Sequence, residues 1–192
     1  MQKLIIGISG ASGAIYGIRL LEVLQSVPEV ETHLIISYAG RRTIRLETKL
    51  SLQQVKKMAD VVYSVCDIAA ALSSGSFKTI GMVVLPCSIK TLASIAHSYS
   101  DNLMTRAADV MLKERRPLIL CVRETPLHLG HLQLMKKAAE LGAVIMPPLP
   151  AFYHHPQNIQ DIIDQTVNRV VDQFSISLPQ DLFKRWQGDH KI

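Results

Sequence analysis

Apolar residues fall along the chain in two rhythms: short unbroken runs, and longer stretches at helical spacing. Leu4-Ile5-Ile6 is an apolar run broken by Gly7-Ile8-Ser9-Gly10-Ala11-Ser12-Gly13-Ala14, and Ile15 to Leu21 then reads as helix. The pattern predicts a strand, a turn of small residues and a helix. Thr32 to Ser37 predicts a second strand, and Arg41 to Leu50 a helix with Glu47 inside it as a solvated carboxylate. Ser51 to Met58 predicts another helix with Ser51 as N-cap. Asp60 to Tyr63 reads as a short strand, Asp67 to Leu72 as a turn of helix, and Ser73 to Ser76 as a polar loop, either linker or lid. Gly81 to Pro86 is the clearest buried strand, and Leu92 starts the helix after it. Leu103 to Glu114 predicts a helix, Pro117 to Val122 a strand, Leu132 to Leu141 a helix and Ala143 to Met146 the last strand. Ile159 to Phe174 is an amphipathic helix. Strand and helix in repeated alternation predict an α/β fold with a doubly wound, mostly parallel sheet. Its ligand crevice lies at the carboxyl ends of the strands.

Composition narrows the class. The 192 residues, 48% hydrophobic and 19% charged, predict a single globular domain spanning 1–192. No apolar run is long enough for a membrane span, and the first residues read as strand rather than signal peptide. The formal net charge of +5 suits an anionic ligand. No dense basic block with interleaved aromatics points to nucleic acid. Cys66, Cys87 and Cys121 are odd in number and widely spaced, which predicts free thiols in a reducing cytoplasm.

Candidate chemistry gathers at the predicted strand ends. The first turn is G-x-x-G-x-x-G (Gly7, Gly10, Gly13). It is either a phosphate cradle, with Ser9 and Ser12 as added donors, or a close-packed turn that binds nothing. No acidic residue ends the second strand; Ser37 and Tyr38 stand there, which favours a mononucleotide such as FMN over a dinucleotide. The second turn, Cys87-Ser88-Ile89-Lys90-Thr91, carries hydroxyls and a cation; Cys87 reads as core. Arg123 and Glu124 end the strand before them and either pair with each other or leave Arg123 for a phosphate. His128 and His131 have no third ligand at metal-binding spacing. Ala151 to Pro156 is a stiff segment carrying polar rings, and the tail Leu182 to Trp186 reads as an interface or a packing peg.

Taken together, GISGASGAIYG, SSGSF, PCSIKTLA, RAADVMLKERRPL, VRETPLH, MPPLPAFYHHP and NRVVDQF resemble the flavin prenyltransferase family, the UbiX/Pad1-like proteins, and the enterobacterial members most. These stretches keep their order over nearly the whole chain. The resemblance implies a flavodoxin-like, Rossmann-like sheet that binds FMN. It implies transfer of a dimethylallyl group from dimethylallyl phosphate to N5 and C6 of reduced FMN, without a metal. The prenylated flavin would serve a separate UbiD-type decarboxylase. By motif, the resemblance assigns Gly10, Ala11, Ser12, Ser37, Ser88, Ile89, Lys90, Thr91 and Arg123 to FMN. It assigns Lys113, Glu124, Tyr153 and Arg169 to the surroundings of the prenyl phosphate, and Glu47 to an active-site acid. It implies a homo-oligomer, a dodecamer with sites at subunit junctions, and a tail from about residue 178 at an interface. Tyr38 departs from the family, which usually has Lys there. Two rivals remain at this point: an FMN-dependent decarboxylase of the cysteine-decarboxylase class, opposed by the missing Asn of that motif, and a non-catalytic flavin carrier.

Overall fold

The computed structural model describes residues 1–188, so positions 189–192 of the tail expected at an interface lie outside the described residues. The strands are β1 (Gln2–Ile8), β2 (Val30–Ile36), β3 (Val61–Tyr63), β4 (Gly81–Cys87), β5 (Leu118–Val122) and β6 (Val144–Ile145). They form one sheet in the order β3-β2-β1-β4-β5-β6, with every pairing parallel. The helices are α1 (Ala14–Leu24), α2 (Tyr38–Glu47), α3 (Leu52–Lys56), α4 (Ile89–Ala96), α5 (Leu103–Lys113), α6 (Leu129–Glu140) and α7 (Ile159–Asp172). This is the doubly wound α/β class expected from the sequence.

Both faces of the sheet are covered, which is why the central strands read as unbroken apolar runs. Leu4, Ile6, Ile8, Val83 and Leu85 point into one core with α1, α2, α3 and α7. Ile5, Met82 and Val84 point into the other with α4, α5 and α6. Gly17 is needed where α1 crosses β4, because a Cβ there would lie 2.4 Å from the Leu85 carbonyl oxygen.

Three helices begin earlier than the apolar spacing predicts. Ser37 Oγ accepts from the Gly40 N–H at 3.0 Å and starts α2 at Tyr38 rather than Arg41; the helix ends at Glu47 rather than Leu50. Ser88 Oγ accepts from the Thr91 N–H at 3.3 Å and starts α4 at Ile89 rather than Leu92. His128 Nδ1 accepts from the Gly130 N–H at 3.0 Å and starts α6 at Leu129 rather than Leu132. Each cap sits before the first turn, ahead of the positions that pack, so hydrophobic spacing dates the helix one turn late. Asp67 to Leu72 is not a helical turn; a single 3₁₀ turn forms at Ala71–Ser73.

Candidate functional site

Strand order reverses between β1 and β4, so the crevice of a doubly wound sheet opens there. Ser9 fastens the two strand tips. Its buried hydroxyl donates to the Pro86 carbonyl at 2.8 Å and accepts from the Ser88 N–H at 2.8 Å. Ser9 is therefore committed within the chain, contrary to its expected use as a phosphate donor. Gly10 follows; a Cβ there would come 2.2 Å from Ala39 Cβ, so only glycine lets the first turn meet α2. The result is a cleft of about 270 Å³ whose lining includes Gly10, Ser37, Tyr38, Ser88, Lys90 and Thr91.

The first turn is not the anion cradle. Glu47 Oε2 accepts from the N–H groups of Gly13 at 2.8 Å and Ala14 at 3.1 Å. A carboxylate on the positive end of α1 occupies the amides a phosphate would need. Glu47 is exposed but not merely solvated, which corrects that expectation; the last residue of α2 caps α1. Ser12 is exposed beside this contact, and Ala11 is buried.

Positive helix ends for an anion come instead from α2 and α4, whose caps Ser37 and Ser88 both line the cleft. The first N–H groups of a helix have no intrahelical partner and favour negative charge. Thr91 Oγ1 lies 3.1 Å from Ser88 Oγ and braces that corner, with Ile89 half-buried beside it. Lys90 is exposed and makes no ion pair among the described residues. Tyr38 lies at the rim with its hydroxyl 3.0 Å from Cys66 Sγ, a contact that raises the phenol's pKa. The Arg41 guanidinium lies 5.0 Å from the centre of its ring, so positive charge sits one turn beyond the departure from the family's Lys.

The tip of β5 bears Arg123, whose N–H donates to the Cys87 carbonyl at 3.0 Å. Arg123 and Glu124 do not pair with each other. Both are exposed; Glu124 Oε1 accepts from the Thr125 N–H at 3.0 Å, and Arg123 lies close enough to Tyr16 to oppose the rise that burial gives that phenol's pKa. Cys87 is fully buried, and burial pushes its thiol up to about 12, which fits core packing and not a nucleophile.

Of the assigned residues, Gly10, Ser37, Ser88, Lys90 and Thr91 line the cleft, and Lys113, Arg169 and Tyr153 stand apart from it. Lys113 ends α5, about 16 Å along the helix axis from the Asn102 cap that lines the cleft. Its Nζ lies 2.5 Å from Glu114 Oε1. The Ser73–Ser76 loop packs here, with Arg116 donating to the carbonyls of Gly75 at 2.6 Å and Phe77 at 2.7 Å. The loop is thus neither a free linker nor a lid on the cleft; it flanks Lys113. Arg169, in the last turn of α7, is paired with Asp172 at 3.0 Å, and Asp172 also holds Arg185. Tyr153 packs edge-on against Phe183 and Trp186, at centroid distances of 6.4 and 6.1 Å. Within one chain these three do not converge on the cleft.

His128 and His131 stack at 3.6 Å between ring centroids, and no group of three or more metal-ligating side chains occurs among the described residues. No helix is long and apolar enough to cross a membrane. A larger open hollow of about 740 Å³ lies at the amino edge of the sheet, lined by Met1, Val27, Pro28 and Ile176 among others. It contains none of the candidate residues, so size does not select the site. Sequence reasoning missed Cys66, Asn102 and Thr105 in the cleft lining. The last two had a signal: Asn102 and Thr105 form a capping box, legible as N-x-x-T before an apolar run.

The donor set fits a flavin mononucleotide. Two capped helix N-termini and a free lysine suit its phosphate, while Val65 and Met104 offer apolar surface to a ring. At about 270 Å³ the cleft is just under the roughly 300–1,000 Å³ usual for ligand sites, so one chain makes a cradle and not an enclosure.

The Flavoprotein family profile matches residues 1–171. Flavin prenyltransferase UbiX of Escherichia coli strain K12 is 69% identical over 188 residues, covering 98% of this chain and 100% of that protein. The chain belongs to the flavin prenyltransferases of the UbiX/Pad1-like family. The crystal structure of AnUbiX (PadA1) in complex with FMN and dimethylallyl pyrophosphate superposes with a TM-score of 0.93 at 46% identity, covering 98% of this chain and 99% of that one. A dodecameric FMN-dependent UbiX-like decarboxylase from E. coli O157:H7 superposes with a TM-score of 0.94 at 49% identity, covering 97% of this chain and 100% of that one. The FMN-dependent cysteine decarboxylase TvaF, at 13% identity and a TM-score of 0.64, shares the fold alone.

Proposed function

We propose that this chain is a flavin prenyltransferase, moving a dimethylallyl group from dimethylallyl phosphate to reduced FMN for use by a UbiD-type decarboxylase. Identity of 69% over 98% of the chain to an enzyme of that name carries the reading, and the cleft at the β1/β4 switch point supports it as a site for the flavin. The cysteine-decarboxylase rival has only a shared fold behind it. A homo-oligomer is the working form, as in the dodecameric relative. We place it in the cytoplasm, where three free thiols stay reduced.

In this reading Gly10, Ala11, Ser12, Ser37, Ser88, Ile89, Lys90, Thr91 and Arg123 hold FMN. Reduced flavin supplies electron-rich N5 and C6, the two atoms bonded in the product. Lys113, Tyr153 and Arg169 come from elsewhere on the surface, completed across a subunit junction, and hold the prenyl phosphate. Their charge and hydrogen bonds offset the negative charge that grows on the phosphate as its C–O bond breaks. Each charge-assisted hydrogen bond contributes about 1.5–3 kcal/mol. Side chains alone can hold a monophosphate, so the reading calls for no metal. In the same reading Glu124, beyond the tip of β5, and Glu47, at the end of α2, move protons. The cleft walls orient a flat ring, and positioning supplies much of the rate.

The test is anaerobic incubation with reduced FMN and dimethylallyl phosphate, followed by mass spectrometry of the flavin. A gain of one isopentenyl unit is expected; unchanged FMN supports the carrier instead.

A further inference from the structure

Six of the chain's 21 lysines and arginines fall between residues 41 and 57, against one acid, Glu47, so this stretch carries a net +5, as much as the whole chain. It covers α2 and α3. None of the six makes an ion pair among the described residues. The carboxylates of the neighbouring segments are engaged elsewhere. Glu47 caps α1. Asp60 accepts from the Thr32 N–H at 2.7 Å and from its hydroxyl at 2.8 Å. Glu31, on β2, lies 3.2 Å from His33 Nε2.

Three of the six cations surround one space. Arg41, Lys56 and Lys57 line a hollow of about 580 Å³ beside the edge strand β3, with Gln53 and Ser64 as neutral donors. That volume lies within the usual range for small-molecule sites. No acidic side chain lines the hollow, and it shares no lining residue with the flavin cleft. Lys56 and Lys57 close α3, but a helix of five residues has too little dipole to call for two cations. Arg41 adds a sharper sign: its Nε is shut off from solvent and has no hydrogen-bond partner among the described residues. A buried charged donor without an acceptor is costly, and an anion on the guanidinium offsets that cost.

We propose that this hollow is a second anion site that binds a polyphosphate chain, free or at the end of a small organic ligand. Three cations match at least three negative charges, whereas one phosphate monoester carries about two near neutral pH. The arginine fork can grip phosphate oxygens in pairs, and the lysines act as point charges. The site stands whether or not the chain prenylates FMN.

The test is calorimetric titration of the FMN-loaded protein with inorganic triphosphate at about 0.15 M salt. Saturable binding is expected, and its absence overturns the proposal. Lys56→Gln/Lys57→Gln should weaken triphosphate by about tenfold and leave the FMN dissociation constant within about threefold. Arg42→Gln/Arg45→Gln removes the same charge from α2 outside the hollow and should weaken triphosphate by less than about threefold. Equal losses in the two variants mean a diffuse field and overturn the site. Acetylation of the unmodified parent guards against variants that do not fold: triphosphate should protect Lys56 and Lys57, and protection of Lys113 alone overturns the proposal. Adenosine triphosphate is the second arm. Tighter binding than inorganic triphosphate assigns the organic source, and weaker binding the inorganic one. Retention of polyglutamate without triphosphate binding marks a surface for acidic protein and overturns the proposal.

Discussion

Lys90, in the cleft lining, and Arg123, at the tip of β5, make no ion pair among the described residues, whereas Lys113 and Arg169, on the outlying surface, are each held by a carboxylate. In the proposed function the two regions meet anions on different terms. In the cleft, Ser9 locks the strand tips, Gly10 admits α2, and two capped helices present their N-termini, so the cradle is preformed by the chain itself. A ligand that stays can complete such a site. The outlying cations sit in partly exposed pairs, with side-chain exposures of 45% and 34% for Lys113 and Glu114, and 46% and 20% for Arg169 and Asp172. Such pairs are worth about 0–1 kcal/mol, so a phosphate can displace the carboxylate at little cost. A donor that arrives and leaves suits exchangeable partners; a flavin held through the reaction suits a fixed cradle.

Breaking the outlying set is the strongest test of this division. Arg169→Ala or Lys113→Ala should lower prenylation by about 10²–10³-fold and leave FMN affinity unchanged, as read by anaerobic turnover and fluorescence titration. Loss of FMN binding in either variant would erase the distinction. Next comes the cradle. Gly10→Ala pushes Ala39 away from the first turn and should weaken FMN by about tenfold, while destabilising the fold by roughly 1–3 kcal/mol. Ser9→Ala leaves the Ser88 N–H without its acceptor and should cost about 1–3 kcal/mol in a denaturant titration. The smallest effect is at the rim. Cys66 is exposed and should react with maleimide and be shielded by FMN, while Cys87, raised to about 12 by burial, stays unlabelled at pH 8. Equal labelling of Cys66 with and without FMN would remove it from the cleft.

Gly10, Ser37, Ser88, Lys90 and Thr91 were legible as a site because each follows an apolar run that reads as a strand, and parallel strands end on one edge. Glu47 was misread: its spacing shows a helix carboxylate, and nothing local shows that α2 aims it at the amides of Gly13 and Ala14. Ser9 was misread for the same reason, since its partners, Pro86 at the end of β4 and Ser88 just beyond it, lie 77 and 79 positions away. The polar loop Ser73–Ser76 gave no sign that Arg116 would bind it beside Lys113.

The sequence by itself determined the α/β class, the strands and the family, because periodicity and motif are local properties of the chain. Tertiary structure alone decided which helix ends stay open for an anion, which hydroxyl is spent on holding strands together, and which cations already have partners. Those depend on groups distant in sequence and near in space, and hydrogen bonds and charge compensation act through space.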